Sequence, residues 1–209
     1  MIRVVLADDH PVVRAGLRQI LTEAPDVAIA GEAGDGIGVL ERVGSVQPDV
    51  LVLDITMPGP PFVTLLRNLR RSHPELGVLV LSVHPEDQYA LRAFRAGASG
   101  YLSKERSPEL LVEAIRRVAR GGRYVPESLA ERLVTRLGAG GDVEPHETLS
   151  DREYEVLCLL GAGRTVGEIA EQLKLSPKTI STFRARILQK MRLRTSAELI
   201  RYAVEHELA

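Results

Sequence analysis

Val50-Leu51-Val52-Leu53-Asp54 decides the fold: four apolar residues in succession, closed by a carboxylate. A strand with one wet face alternates apolar and polar, so an unbroken apolar run reads as a strand covered on both sides, the habit of parallel sheets. Two further runs repeat the pattern and also close on polar groups: Val4-Val5-Leu6-Ala7 before Asp8-Asp9, and Val78-Leu79-Val80-Leu81 before Ser82. Working outward, strands are expected near 2–7, 27–33, 49–53, 76–82 and 99–102, and helices near 11–23, 36–46, 62–72, 86–95 and 108–120. Five βα units make a doubly wound α/β domain over residues 1–120, flavodoxin-like, with a five-stranded parallel sheet in the order 2-1-3-4-5. Ser107 and Pro108 supply the start signal of the last helix, and Gly121-Gly122 its stop.

Residues 121–146 read as a linker, with Gly138-Ala139-Gly140-Gly141-Asp142 at its flexible heart. Leu129, Leu133 and Leu137, spaced at four residues, predict a short amphipathic helix inside it. From 147 to 209 the pattern is all-α, with helices near 150–160, 165–173, 177–191 and 196–206. Capping boxes open three of them, Ser150 with Glu153, Thr165 with Glu168 and Thr195 with Glu198, and Ser176-Pro177 opens the fourth. None of these short helices buries its apolar face alone, so they form one four-helix module. Within it, residues 165–191 read as helix-turn-helix, with Ile169, Ala170 and Leu173 facing Ile180, Ile187 and Leu188.

The longest apolar runs of this 209-residue chain fall far short of the roughly 20 residues that span a bilayer. Met1 leads straight into a strand-like Ile2–Ala7, without a secretory signal, so a cytoplasmic protein with no membrane partner is expected. Cys158 is the single cysteine and reads as core filler. His73, His84, His146 and His206 show no metal-ligand spacing and read as surface residues, and His10 reads as a helix-entry residue at the edge of the acidic group. A net charge of −1 excludes a uniformly basic coat, but the charge is unevenly placed. Residues 1–125 carry 15 basic and 15 acidic side chains, whereas Lys174–Arg201 holds eight basic residues against Glu198 alone.

Asp8, Asp9, Asp54, Ser82 and Lys104 all fall at carboxyl ends of expected strands, where doubly wound sheets form their ligand crevice. Strands one and three are neighbours in this order, so three carboxylates share a pocket. Hard oxygen donors of this kind suit Mg²⁺. Asp54 is then placed to act as a nucleophile toward a phosphoryl group, with Lys104 balancing its charge and the Ser82 hydroxyl donating to it.

Ala7-Asp8-Asp9-His10, Leu53-Asp54-Ile55-Thr56-Met57-Pro58-Gly59, Leu81-Ser82 and Gly97–Lys104 resemble, in order, the receiver domain of response regulators. The resemblance implies Asp54 as phosphoacceptor and Mg²⁺ held by Asp9, Asp54 and the Thr56 backbone carbonyl, with Asp8 acting through water. It also implies Ser82 and Tyr101 as a switch pair beside Lys104. The family pattern has a small or acidic residue and a glycine after Met-Pro-Gly, whereas this chain has Pro60-Pro61-Phe62, which leaves its phosphotransfer behaviour open.

Leu149–Glu153, Glu155-Val156-Leu157, Glu168-Ile169-Ala170, Leu175–Ile180 and Ile187–Met191 resemble the LuxR-type DNA-binding domain, and the whole arrangement resembles the NarL/FixJ family. By resemblance, Ser181, Thr182 and Ala185 face base edges of double-stranded DNA, while Lys178, Thr179, Arg184, Arg186 and Lys190 meet its backbone. Val166 and Phe183 stand where the family commonly has Asn and His, which leaves the operator open. The implied function is not an enzyme's: a sensor histidine kinase or small phosphodonor modifies Asp54, and an activated homodimer changes transcription. The rivals are a phosphorylation-independent regulator of the same architecture, a Mg²⁺ phosphatase, disfavoured by Thr56 where a second acid would stand, and a ligand-sensing LuxR-type regulator.

Overall fold

The computed structural model describes residues 1–82, 86–104, 107–125, 144–206 and 208, with the backbone alone for 86–88 and 147. It divides into two compact units, Met1–Gly138 and Ala139–Ala209, each considered by itself. The expected linker helix at Leu129, Leu133 and Leu137, and His84, lie outside the described residues.

In the first unit, strands β1 (Ile2–Ala7), β2 (Val27–Ala33), β3 (Val50–Asp54), β4 (Gly77–Ser82) and β5 (Gly100–Ser103) alternate with helices α1 (Pro11–Thr22), α2 (Gly36–Val46), α3 (Phe62–Ser72), α4 (Glu86–Ala96) and α5 (Pro108–Ala119). All pairings are parallel, in the order β2-β1-β3-β4-β5. The boundaries fall within a residue or so of those read from the sequence, because each is set by a local signal. Every residue of β3 and β4 is buried, which is why neither strand carries a polar alternate.

Pleating splits the core in two. Val4, Leu6, Val50, Val52, Leu79, Leu81 and Leu102 turn to one face, against Leu21 of α1 and Leu111, Ala114, Ile115 and Val118 of α5. After α5 the chain returns to the sheet: Tyr101 N–H donates to the Tyr124 carbonyl at 3.1 Å, and Tyr124 N–H to Ser99 at 3.0 Å. Nothing local in the sequence announces that return. Ser107 takes the N-cap position of α5, but its side chain makes no capping bond; it hydrogen-bonds Glu109 instead, which holds that carboxyl below the usual range.

The second unit holds a 3-10 turn (Pro145–Thr148) and helices α6 (Asp151–Gly161), α7 (Val166–Gln172), α8 (Pro177–Lys190) and α9 (Ser196–Glu205). Helix α6 packs against the other three. Ile169, Ala170, Ile180 and Ile187 are buried at the α7–α8 crossing, and Leu173 and Leu188 are half-buried. Cys158 is buried in α6, as expected. The capping boxes at Ser150 and Thr165 are complete. The third is only half formed: Thr195 caps Glu198 N–H at 3.2 Å, but the Glu198 carboxylate accepts from Arg194 N–H at 2.7 Å. Among the described residues no helix is long and apolar enough to cross a membrane.

Candidate functional site

Register builds the first unit's site. Ala7 pairs with Leu53, Asp54 with Leu81 and Ser82 with Ser103, so Asp8, Asp54, Ser82 and Lys104 end four adjacent strands at one edge of the sheet. Asp8 and Asp54 are almost fully buried, at 1% and 3% exposure. The Lys104 ammonium lies 2.6 Å from Asp8 Oδ2 and 3.0 Å from Asp54 Oδ2, bridging the two. Burial alone would lower the lysine's pKa; the Asp54 charge and the hydrogen bonds to Asp8 and Asp54 outweigh it and hold the ammonium above its ordinary value. Two buried carboxylates are tolerable because one cation is shared between them.

Asp9 lies at the rim, and its Oδ1 is 2.7 Å from His10 Nδ1. The ligating atoms of Asp8, Asp9, His10 and Asp54 all come within 4.8 Å of one another. Carboxylate oxygens gathered at this spacing, two of them buried, fit a hard divalent cation. Thr56, two residues past the strand, donates from Oγ1 to Asp54 Oδ2 at 3.3 Å. Ser82 is buried at the end of β4, and its carbonyl accepts from Lys104 N–H at 2.8 Å. Tyr101 pairs with Val80 one pleat below, on the face that Ser82 and Ser103 share, and is wholly buried. Asp8, Asp9, Asp54 and Lys104 thus assemble as one group, with Ser82 at the end of the neighbouring strand.

His10 serves both of its readings: it occupies the N-cap position of α1 and contacts the acids. Sequence reasoning missed Arg14. Its guanidinium donates to the Asp8 carbonyl at 2.5 Å and reaches Glu32 of β2 at 3.4 Å, tying the strand end that carries the acids to its neighbour. The signal was present, an arginine one helical turn beyond His10 on the face toward the sheet, but its partner Glu32 is remote in sequence.

The unusual Pro60-Pro61-Phe62 segment is anchored. Phe62 is buried as the first residue of α3, and Gly36 N–H donates to the Pro58 carbonyl at 2.8 Å. Pro60 packs so closely on Gly36 that a Cβ there would stand 2.9 Å from the ring. The stiff loop is thus pinned to the start of α2.

In the second unit, α8 presents Lys178, Thr182 and Ala185 on one exposed stripe, with Arg186 and Lys190 exposed beside it. Thr179, Ser181 and Arg184 are half-buried. Ser176 caps the helix, accepting from Thr179 N–H at 3.1 Å. Phe183 is half-buried on the helix's other side. Lys190 has a specific protein partner: its Nζ donates to Glu153 Oε2 at 2.6 Å. Burial pushes the Glu153 carboxyl up, but the bond from Lys190 and the Ser150 contacts prevail and hold it below the usual range. Lys190 therefore clamps α8 to the start of α6. His146, expected at the surface, is buried, and His206 is half-buried; tertiary packing overrides their polar character.

Comparison with known proteins agrees with this division. Residues 4–116 match the response regulator receiver domain, and residues 147–203 match the bacterial regulatory proteins of the luxR family. The response regulator UvrY of Escherichia coli K12 is 36% identical over 214 aligned positions, covering all of this chain and 96% of that protein. Among solved structures, the RcsB response regulator of Salmonella typhimurium superposes with a TM-score of 0.62 at 28% identity, over 98% of this chain and 100% of that one. A structure of two RcsB dimers bound to two parallel DNAs gives a TM-score of 0.59 at 28% identity, over 97% of this chain and 98% of that one.

Proposed function

The chain belongs to the NarL/FixJ family of response regulators, a receiver domain joined to a LuxR-type DNA-binding domain, and from that membership we propose a transcription regulator whose DNA binding is switched by phosphorylation of Asp54. The observation that carries the reading is the Lys104 ammonium bridging buried Asp8 and Asp54 at the carboxyl end of the sheet. In a phosphotransfer, an Asp54 oxygen forms a bond to phosphorus as the bond to the donor's leaving group breaks, giving an acyl phosphate. Lys104 stays in place and balances charge on the phosphoryl oxygens. Asp9 and Asp54, with the Thr56 carbonyl and with Asp8 through water, would hold Mg²⁺, which would neutralise the charge of an incoming phosphoryl group.

The Ser82 hydroxyl then donates to a phosphoryl oxygen, and Tyr101 on the same face is its switch partner. The donor is a sensor histidine kinase or a small phosphodonor, and the protein works in the cytoplasm as a transcription factor rather than turning over a substrate. Residues 1–120 form the receiver, 121–146 the linker and 147–209 the DNA-binding domain. Ser181, Thr182 and Ala185 lie toward base edges, while Lys178, Thr179, Arg184 and Arg186 meet phosphates, as two copies occupy paired half-sites.

The test is incubation of the full chain with acetyl phosphate and Mg²⁺, read by intact mass and by DNA binding. Wild type is expected to gain one phosphoryl group and bind DNA more tightly, and Asp54→Ala to do neither. A wild type that gains no mass yet still binds a promoter would be the phosphorylation-independent regulator instead.

A further inference from the structure

Glu144, His146 and His206 belong to neither site above, yet they converge where the 3-10 turn of the second unit meets the end of α9. One ligating atom from each lies within 4.8 Å of the others. The rings form an aromatic cluster: Tyr202 stacks on His206 at 4.0 Å between centroids, and His146 meets Tyr154 tilted and Tyr202 and His206 edge-on, each at 5.9 Å. His146 is buried, whereas the side chains of His206 and Glu144 are 32% and 40% exposed, so solvent reaches the cluster from one side.

Tyr202 reaches both of the other donors: its Oη stands 2.9 Å from His146 Nδ1 and 3.4 Å from Glu144 Oε2. Metal-ligating residues are commonly oriented by hydrogen bonds from a neighbouring side chain, and Tyr202 stands in that place here.

We propose that Glu144, His146 and His206 form a binding site for one divalent transition-metal ion of zinc's type. Two imidazoles and one carboxylate make a borderline-soft donor set, which leaves a fourth tetrahedral position for water and gives Mg²⁺ too few oxygens. Bonds of about 2.0–2.1 Å in a tetrahedron separate neighbouring ligand atoms by about 3.3 Å. His206 Nδ1 and Glu144 Oε2 are 3.8 Å apart, so they close the difference by small rotations of two partly exposed side chains. Tyr202 is a positioning residue that orients His146 and Glu144. The bound ion joins the segment through which the chain enters the second unit to the end of its last helix, and so stabilises that unit by mass action.

The experiment uses the full chain in saturating Mg²⁺, which occupies the receiver's carboxylates. Zn²⁺ is titrated calorimetrically, and Co²⁺ is followed by its visible absorption. Wild type is expected to bind one Zn²⁺ per chain at this site and to give the intense absorption of tetrahedral Co²⁺. His206→Gln and Glu144→Gln, at partly exposed positions and checked for folding by circular dichroism, should each weaken binding at least tenfold. Tyr202→Phe should weaken it by about 10-fold through lost orientation. Equal Zn²⁺ uptake by wild type and these variants, weak octahedral Co²⁺ absorption, or loss of binding in Asp54→Asn but not in His206→Gln would overturn the assignment. The last outcome would place the ion in the receiver pocket.

Discussion

Exchanging Lys190 for methionine keeps the side chain's length and removes its charge, and the consequence can be worked from one contact. The Glu153 side chain is 4% exposed, with Lys190 Nζ at 2.6 Å and Ser150 N–H at 2.8 Å. Deleting one partner of a buried ion pair costs about 3–5 kcal/mol. Lys190 is itself 42% exposed, and Glu153 keeps its capping bond, so water screens much of the loss and about 1–2 kcal/mol is expected. A domain of this size then melts roughly 5–15 °C lower. Hydrogen exchange of the α6 amides in the full chain reads the second unit by itself and should quicken by roughly 5- to 30-fold. A phosphate contact behaves otherwise: its loss flattens the salt dependence of DNA binding by about 0.9 in log–log slope. Lys190→Met should leave that slope near wild type. Unchanged exchange together with a slope smaller by about one would refute the clamp and make Lys190 a backbone contact.

Arg186→Ala should show the opposite pattern, weakening binding to all sequences alike and flattening the salt slope by about 0.9 with α6 protection intact, as footprint titrations at several salt concentrations would show. Gly36→Ala pushes a methyl to 2.9 Å from the Pro60 ring, so the β3–α3 loop must shift; a loss of about 1–3 kcal/mol in urea unfolding and an altered acetyl-phosphate labelling rate are expected. Glu153 and Glu168 are both held below the ordinary glutamate range in the folded chain. Their contribution is therefore fully present above about pH 4.3 and lost as pH falls through the depressed values, so acid titration followed by circular dichroism should melt the second unit from that pH downward. Lys104 has the opposite sign: its folded pKa is raised, so its contribution persists below the ordinary lysine value of about 10.4 and fades as pH climbs through the higher folded one. Lys104→Met should abolish that alkaline loss in a stability–pH profile.

The fold was legible because its signals are local. Four-residue apolar runs, Pro108 after Ser107 and the Ser150–Glu153 and Thr165–Glu168 boxes each act within a turn or a strand, and the elements begin and end beside them. The acidic group was legible for a related reason: parallel strands share a direction, so residues ending successive strands must meet at one edge, and Asp8, Asp54, Ser82 and Lys104 do. What sequence could not supply were partners chosen by three-dimensional packing. Arg14 reaches Glu32, Lys190 turns from solvent to Glu153, and Glu198 takes the Arg194 amide in place of its own cap.

The amino-acid order by itself therefore determined the alternation of strands and helices, the ends of most elements and the residue types gathered at the sheet's edge, since each follows from bonding within a few residues. Tertiary structure alone decided which charges are neutralised and which histidines are buried. His146 and His206 have unremarkable spacing along the chain, and only the packing of α9 beside the 3-10 turn brings their rings to 5.9 Å. Contacts between remote segments depend on how whole helices dock, and no window of sequence contains that information.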